Sequence, residues 1–546
     1  MDKPLKEAGM SKTNRGAVLL VLVAVLIAMG GISLLKGGFF IGKHEGDTIH
    51  LVDIVMRMSM GQKPHSDFMT PIGFLAFAPM SMFVAWGSGI GHAIIQSQIF
   101  VAIALLPAIW WVSVSRLPKR LAMGFGVVVL VMILALVHGE ANSAVSISMH
   151  YNRWAWALAY LAIMGSILPP IYGQSRIADG AIIGGAMAAL VLIKVTYFVA
   201  FALPVVLALI VTRQIMTFVY AIIAGLIVAG AVTALYGVDF WFAYLADLQA
   251  VASSETRAAP GLPLDQILIA PAYMGITAIG VAGVILLRQA GAMAGGLVLL
   301  TLLPGFVYVT YQNYGNDPQW LLLFAILVLA LRPETDRRAP SGLELRGALG
   351  ILAVIALTFG APSLLNMAYS PFRHNAVDTT DYIPMFFETE GALSDLYAFA
   401  PRIVQVTEKR GLDGVGEYFH EWNELADRGE PTEFMGMTFD DCTLDGGMAA
   451  YSESIGAELT AVNGQPVFVA DIFNALWLYQ DFAPVTGAAP WNYGDLSGFE
   501  NASHLLVPTC PMSAQVHGAI LDAITDAEAS LTEIDRTEMY ILYEIG

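Results

Sequence analysis

The stretch GKHEGDTIHLVDIVMRMSMGQKPHSDFMTPIGFLAF, residues 42–77, decides how the chain is organised. It follows an apolar run and places seven His, Asp and Glu side chains within 24 positions. These are His44, Glu45, Asp47, His50, Asp53, His65 and Asp67. A carboxylate at a membrane surface can act as a general base on a hydroxyl group, or can bind a divalent metal ion beside a phosphate leaving group. The alternative is a solvated surface loop without chemistry.

The apolar run before this stretch, from Ala17 to Leu35, has the length of one membrane span. Four basic residues precede it, and no small-residue cleavage site follows. They are Lys3, Lys6, Lys12 and Arg15. Because basic residues favour the cytoplasmic side, we expect an uncleaved first span with its N-terminus inside, followed by an outward loop at 36–71.

The composition indicates that the bilayer is the solvent for much of the chain. Of 546 residues, 56% are hydrophobic and 13% are charged, and the mean hydropathy is +0.64. Residues 1–369 carry 21 Lys and Arg against 16 Asp and Glu, whereas residues 370–546 carry 6 against 29. The first part suits loops beside anionic lipid, while the second would be repelled by nucleic acid. We therefore expect a lipid bilayer, and no nucleic acid, as partner.

Apolar runs near the 20 residues that a bilayer requires predict the membrane spans. The predicted spans are 17–35, 72–90, 93–113, 121–138, 154–172, 215–235, 266–287, 291–311, 320–332 and 347–368. The run 180–212 is longer and contains Lys194 and Pro204. It is either one tilted span or two short half-helices that meet at the lysine. The fold class is a polytopic α-helical membrane protein of about 10 to 12 spans.

Basic residues between the runs predict which loops are cytoplasmic. They lie at Arg116 to Arg120, Arg176, Arg213, Arg288 and Arg332 to Arg346. The outward loops are then 36–71, 138–153, the neighbourhood of Lys194, 236–265 and 311–319. Simple alternation conflicts with this assignment, because it places Arg116 outside unless 72–90 is re-entrant or 180–212 is a single span.

After Tyr369 the apolar runs stop, and residues 370–546 predict an acidic α/β domain on the periplasmic side of a bacterial inner membrane. The predicted elements are helices at 414–427 and 513–526 and strands at Val467 to Ala470, Leu505 to Pro508 and 538–543. Cys442 and Cys510 both lie here, either as a disulfide or as two separate buried thiols. No motif for nucleotide or zinc binding occurs in this domain.

The quoted stretch also contains an ordered series of features. An acidic residue at Gly46-Asp47 is followed by an amphipathic segment from Ile49 to Met60, a G-x-x-P-x-x-D segment, and a proline before the next apolar run. The G-x-x-P-x-x-D segment consists of Gly61, Pro64 and Asp67, and the proline is Pro71. In this series the chain resembles the C-type glycosyltransferases, integral-membrane enzymes of the GT-C fold that use polyprenyl-phosphate sugars. The resemblance covers roughly residues 17–265 and implies a GT-C-like membrane domain over residues 1–369.

The resemblance implies a reaction and roles for individual residues. The reaction is inverting transfer of a hexose or pentose from a polyprenyl-phosphate donor to a glycolipid or an envelope glycan. Asp47 takes the family's first-loop acidic role, as a base or a metal-linked residue. Glu45 is the second candidate, because Gly46 separates the two carboxylates here. A divalent metal ion is the one cofactor that the resemblance suggests, and the sequence gives no ligand set for it.

Other residues are candidates for binding the substrates. Arg153, Lys194 and Arg257 can hold the donor phosphate, because guanidinium and ammonium groups pair with phosphate oxygens. His150, Tyr151 and Asn152 lie beside Arg153 at the mouth of a span and are candidates for acceptor binding. Less specific candidates are Asp247 for an acceptor hydroxyl and Trp477, Trp491 and Tyr493 for stacking on a sugar. The structural alternatives are cations that extend to the lipid headgroups, an interfacial helix and core aromatics.

Two other functions stay open at this stage. A transporter or flippase for lipid-linked glycans would explain a run broken at Lys194. A non-catalytic scaffold, whose acidic domain binds an envelope protein, would explain the separated pair Glu45 and Asp47.

Overall fold

The computed structural model describes residues 12–139, 141–173, 175–256, 271–313, 318–335, 337–410, 432–439 and 442–546. Its first part is helical, because lipid offers no hydrogen-bond partners and a helix satisfies its own backbone groups. The helices are α1 (Lys12–Ser33), α2 (Glu45–Ser59), α3 (Ala78–Ala85), α4 (Ile90–Arg116), α5 (Lys119–Leu134), α6 (His150–Ile167), α7 (Arg176–Ile193), α8 (Val195–Val211), α9 (Ile215–Tyr236), α10 (Asp239–Ser253), α11 (Pro271–Gln289), α12 (Met293–Gln312), α13 (Trp320–Leu331) and α14 (Leu345–Ala376).

Six helices, α1, α4, α7, α9, α12 and α14, are long and apolar enough to cross a membrane. Within the described residues, the helices α5, α6, α8, α11 and α13, with 12 to 19 residues each, lie between them in the chain. Together they form one membrane bundle. The predicted polytopic helical fold is therefore confirmed.

The predicted span 72–90 is wrong. Residues Phe74–Ala76 form a single 3-10 turn, and the helix that follows, α3, has eight residues. Such a helix is about 12 Å long, too short for a hydrocarbon layer of about 30 Å. The chain stays on one side of the bilayer because Gly73 docks on the end of α7, where its N–H donates to the carbonyl of Ile193 at 3.1 Å.

Without that span, simple alternation agrees with the charge pattern. The loops at Arg116, Arg176, Arg213, Arg288 and Arg332 to Arg346 then all lie at one end of the bundle, which we call the arginine face. At this end Arg116 Nη1 lies 2.9 Å from Asp179 Oδ1, and Arg337 donates to the carbonyl of Ala290 at 2.9 Å. The opposite end carries α2, α3, α10 and the C-terminal domain, and we call it the domain face.

The run 180–212 consists of two helices, α7 with 18 residues and α8 with 17. Lys194 alone joins them, in an extended conformation with φ −154° and ψ 102°. Each helix is long enough to cross most of the hydrocarbon layer. The pair therefore forms a hairpin with Lys194 at its tip on the domain face, and neither a single tilted span nor two half-helices.

The C-terminal region contains helices and small sheets, as predicted for an α/β domain. Its strands are β2 (Tyr382–Pro384), β3 (Leu396–Phe399), β4 (Thr407–Arg410), β5 (Thr432–Phe434), β6 (Met437–Phe439), β7 (Cys442–Gly446), β8 (Val467–Val469), β9 (His504–Pro508), β10 (Leu531–Arg536) and β11 (Tyr540–Ile545). Its helices are α15 (Ala400–Val404), α16 (Met448–Glu458) and α17 (Ala514–Asp526). The largest sheet has the order β10-β11-β9-β8. The helix predicted at 414–427 lies outside the described residues.

Hydrogen bonds join this domain to the membrane part, and a disulfide stabilises it internally. Strand β1 (Phe39–Ile41), from the first outward loop, pairs in parallel with β3 in a sheet of order β1-β3-β2. The carboxylate of Asp395 accepts from the N–H groups of Gly91 and His92 at 2.8 and 2.9 Å, so the domain caps the start of α4. A disulfide joins Cys442 to Cys510, the first of the two alternatives for these cysteines.

Candidate active site

Helix α2 carries the two candidate bases at its first turn. His44, which precedes the helix, has a positive φ of 66°, and this conformation turns the chain from β1 into α2. Glu45 is the first residue of α2 and Asp47 is the third. The unsatisfied N–H groups of a helix start favour negative charge at these positions.

Glu45 is engaged in an ion pair. Its side chain is buried, and both of its carboxylate oxygens accept from Arg402 of α15, from Nε and, at 2.9 Å, from Nη2. One guanidinium thus engages both oxygens of this carboxylate through charge-assisted hydrogen bonds. The structure therefore distinguishes the two candidates and gives Glu45 a structural contact.

Asp47 is half-buried and accepts a hydrogen bond from the hydroxyl of Ser148. Burial raises the pKa of Asp47, while the Ser148 hydroxyl and the charge of His44 act in the opposite direction. Ser148 lies two residues before α6, in the outward loop predicted at 138–153. A carboxylate with a raised pKa, held by one hydroxyl and reached by solvent, has the properties of a general base.

His44, whose charge acts on Asp47, lies beside a second histidine, His138. Nδ1 of His44 is 2.9 Å from the hydroxyl of Ser146, and the rings of His44 and His138 are 5.1 Å apart. Within the described ranges, three metal-ligating side chains converge at Glu408, Cys442 and Cys510, where the cysteines are bonded to each other. The contacts around Asp47 support the role of a base, and a divalent ion there stays a prediction.

Lys194 is held at the tip of the α7–α8 hairpin by two amide side chains. Its Nζ donates to Oδ1 of Asn152 at 2.9 Å and to Oδ1 of Asn313 at 2.7 Å, and it lies 5.4 Å from the ring centre of Tyr151. Asn313 in turn donates to the hydroxyl of Tyr197 at 3.1 Å. Asn152 of α6 and Asn313, which follows α12, thus hold one ammonium group at the domain face, and Tyr197 of α8 supports Asn313.

The Asp47 and Lys194 contacts meet at the start of α6. Ser148, which binds Asp47, precedes this helix by two residues, and Asn152, which binds Lys194, is its third residue. The structure therefore brings a carboxylate and an ammonium group, 147 positions apart in the chain, to the same end of one helix.

Arg153 has a different environment from Lys194. Its side chain is 1% exposed, and Nη1 donates to the carbonyls of Ala135 and Met132 at the end of α5, at 2.5 and 3.4 Å. Its Nε and Nη2 have no hydrogen-bond partner among the described residues. A cation on the last carbonyls of a helix stabilises that helix end, so this geometry gives Arg153 a structural contact.

The three residues predicted to bind the acceptor also contact other residues of the chain. Nε2 of the buried His150 lies 2.8 Å from the carbonyl of Ala76, Asn152 supports Lys194, and Tyr151 lies against the Lys194 ammonium. Arg257 lies outside the described residues.

The remaining ionisable residues of the first loop connect it to its surroundings. Asp53 accepts from Arg57 at 2.5 Å and from Trp477 at 3.0 Å, and all three link α2 to the C-terminal domain. Nδ1 of His65 lies 2.8 Å from Asp247 on α10. Burial lowers the pKa of His50, whose ring packs edge-on against Trp491, to about 4. These side chains hold the loop between the bundle and the domain.

An apolar groove of about 370 Å³ lies along the α7–α8 hairpin, and its lining residues Leu192 and Phe198 flank Lys194 in the chain. Helices α7, α8 and α9 form its walls, with Leu192, Phe198 and, from α10, Trp241 near the domain face and Ile183, Leu209 and Phe218 towards the arginine face. Helix α9 packs tightly on α7, because an added Cβ at Gly184 would lie 2.0 Å from the carbonyl of Ala221. Ile222 lines the groove and is 47% exposed, so the groove opens to the surrounding lipid.

Sequence reasoning missed three residues that complete this site, Ser148, Asn313 and Arg402. Ser148 and Asn313 lie at the edges of predicted outward loops, which is a weak signal for a polar residue near a site. Arg402 is 357 residues from its partner Glu45, and nothing local in the sequence connects the two.

Comparison with known proteins gives one structural likeness to report. The chain is similar to ArnT from Cupriavidus metallidurans, in a crystal structure with bound undecaprenyl phosphate, with 13% identity over 98% of each chain and a TM-score of 0.39. No family model matches the sequence, and no curated protein matches it.

Proposed function

We propose that the protein is an inverting membrane glycosyltransferase of the GT-C kind. It transfers a sugar from a polyprenyl-phosphate donor to a hydroxyl of a glycolipid or an envelope glycan, on the periplasmic side of a bacterial inner membrane. The observation that supports this proposal best is the meeting of three features at the domain face. They are the half-buried carboxylate of Asp47, the ammonium group of Lys194, and an apolar groove whose lining residues Leu192 and Phe198 flank Lys194 in the chain.

The groove suits the hydrocarbon chain of a lipid donor. Its walls are apolar along both arms of the α7–α8 hairpin, and it opens sideways to the bilayer. Burying one CH₂ group of such a chain is worth about 0.8 kcal/mol. The chain would therefore enter laterally, with its phosphate at the membrane surface near Lys194.

Lys194 supplies the positive charge for that phosphate. Two amide oxygens fix the direction of the ammonium group, so little ordering is needed when a phosphate binds. Arg153 orders the ends of α5 and α6 in this mechanism, since its guanidinium is buried against backbone carbonyls. Any role of Arg257 remains the sequence prediction.

Asp47 acts as the base. It takes the proton from the acceptor hydroxyl, whose oxygen attacks the anomeric carbon of the sugar. The bond from that carbon to the phosphate oxygen breaks, and the polyprenyl phosphate leaves with the electron pair. Attack opposite the leaving group inverts the anomeric configuration, and Lys194 stabilises the charge that develops on the phosphate.

Neither alternative function gains a specific observation. The break at Lys194 lies at the tip of a hairpin, not halfway across the bilayer, so it does not form the discontinuous helix of a transporter. The separation of Glu45 from Asp47, which favoured a scaffold, is accounted for by the ion pair between Glu45 and Arg402.

The test is transfer of labelled sugar from native polyprenyl-phosphate donors to envelope lipids. Membranes would contain the wild type, Asp47→Asn or Asp67→Asn at equal abundance. Asp67 is the matched control, because it lies in the same loop and its carboxylate accepts from the N–H of Lys63 at 2.6 Å. We expect loss of transfer by about 10² to 10⁴ in Asp47→Asn only. Unchanged transfer would remove Asp47 as the base, and no transfer in the wild type would overturn the proposal.

A further inference from the structure

The C-terminal domain contacts Glu45, two positions before the proposed base. Arg402, in α15, donates from Nε and Nη2 to the two oxygens of Glu45, with the Nη2 contact at 2.9 Å. Two parallel hydrogen bonds between a guanidinium and a carboxylate fix both groups in one plane. The first residue of α2 is thereby attached to a domain that follows the membrane bundle in the chain.

Two apolar side chains of the same domain pack against Gly46, the residue after Glu45. A Cβ added at Gly46 would lie 3.2 Å from the ring of Phe473 and 3.8 Å from Cε of Met448. Any side chain at this position would therefore press on Phe473. The sequence Glu45-Gly46-Asp47 thus separates the two carboxylates with the one residue that allows this close approach.

These contacts fix the backbone from which the Asp47 side chain extends. Asp47 has one hydrogen bond from Ser148 on the bundle side, while Glu45 and Gly46 are held from the domain side. Glu45 itself is 6% exposed and paired, so it supplies a fixed point and does not face the substrate. A displacement of about 1 Å in a reacting group can lower a rate by about 100-fold.

We propose that Arg402 is a positioning residue, which orients Asp47 for proton abstraction by holding Glu45 at the start of α2. This inference rests on the proposed function. It makes the C-terminal domain a part of the active site, because the membrane part alone contains the base but lacks the group that orients it.

A second contact between the domain and the bundle, away from Glu45, provides the matched control. Asp395 caps α4 through the N–H groups of Gly91 and His92, and Nδ1 of His92 lies 2.5 Å from its carboxylate. This contact also joins the domain to the bundle, and among the described residues no hydrogen bond of Asp395 involves α2. Asp395→Ala weakens docking without touching Glu45.

The experiment measures initial rates in the full-length protein against the concentration of a labelled polyprenyl-phosphate-sugar fraction from native membranes. We expect Arg402→Met to lower kcat by about 100-fold with little change in KM for the donor. Arg402→Lys should recover part of kcat, because it restores the charge but only one of the two hydrogen bonds. Asp395→Ala should lower Tm while its kcat stays near that of the wild type.

Wild-type kcat in Arg402→Met would overturn the inference, and so would an equal loss in Asp395→Ala, because docking alone would then explain the effect. If Arg402→Met does not accumulate as folded protein, kcat is measured in Arg402→Lys and Glu45→Gln instead. Normal kcat in both of these variants would overturn the inference. Absence of transfer in the wild type would remove the proposed function as well, so the two failures are distinguishable.

Discussion

Two aspartates at opposite ends of the bundle have opposite surroundings. Asp179, at the arginine face, is 2% exposed, lies 2.9 Å from Arg116 and accepts from Trp111 at 2.8 Å. Asp47, at the domain face, is half-buried and accepts from the neutral hydroxyl of Ser148. The first carboxylate is neutralised by a cation and sealed, whereas the second is held in one direction and reached by solvent.

This difference distinguishes buried polar groups that stabilise the fold from polar groups that can take part in a reaction. A buried ion pair costs several kcal/mol in desolvation and is retained where both partners are satisfied. A group that must exchange a proton with a substrate needs orientation without neutralisation. We therefore expect substitutions at the arginine face to change stability, and substitutions at the domain face to change turnover.

The largest expected effect is on stability, from Arg116→Met. The substitution leaves the Asp179 carboxylate buried opposite an apolar side chain, which costs about 3 to 5 kcal/mol. Thermal unfolding in detergent should show a large decrease in Tm, while sugar transfer per folded molecule stays near that of the wild type. An unchanged Tm would contradict the contrast between the two faces.

The next effect is on turnover, from Lys194→Met. In the proposed mechanism, removing one preorganised charge from the leaving phosphate should lower kcat by about 10² to 10³, or about 2.7 to 4 kcal/mol. The control is Lys36→Met, since Lys36 lies on the same face but donates to the carbonyl of Val377 at 2.5 Å. Equal rates in the two variants would show that Lys194 does not bind the donor phosphate.

A third carboxylate sharpens the comparison through pH. Asp471 is buried and accepts from the N–H groups of Met512 and Ser513 at 2.6 and 3.0 Å, and burial raises its pKa to about 6. The folded state then binds the proton more tightly than the unfolded state, so stability decreases as pH rises from about 4 to 6, by about 2 to 3 kcal/mol.

The variant Asp471→Asn should remove this part of the pH dependence. Melting temperatures of the wild type and the variant, measured at pH 4.5 and pH 7, give the comparison. We expect the wild type to lose more stability than Asp471→Asn between these two values. Parallel curves would mean that Asp471 titrates normally in the folded domain.

The smallest effect concerns the groove that leads away from the domain face. Ala202→Trp fills part of the groove and should raise KM for the donor about tenfold, because about two CH₂ groups of the lipid chain lose their contact. Leu203→Trp is the control, since Leu203 is 70% exposed to lipid on the same helix. A similar rise in both variants would indicate a general effect of tryptophan on α8.

Local composition predicted much of the fold because the bilayer imposes a simple length rule. It failed at 72–90, where the residues are apolar but Pro71, Gly73 and Gly87 divide them into pieces too short to span. The same rule could not predict the hairpin of α7 and α8. Lys194 is a visible interruption of the apolar run, but the run itself does not show whether the chain turns back there. Asp47 and Lys194 were found as candidates since charged residues near a membrane are rare and visible.

The sequence by itself determined that the chain crosses a bilayer many times, which loops carry positive charge, and that an acidic domain follows the spans. These properties depend on transfer free energies and charge, which are sums over local residues. Only the tertiary structure decided which of Glu45 and Asp47 is available, because the choice depends on Arg402, which is 357 positions from Glu45. Such pairing is set by how the domain packs on α2, and no local pattern records it.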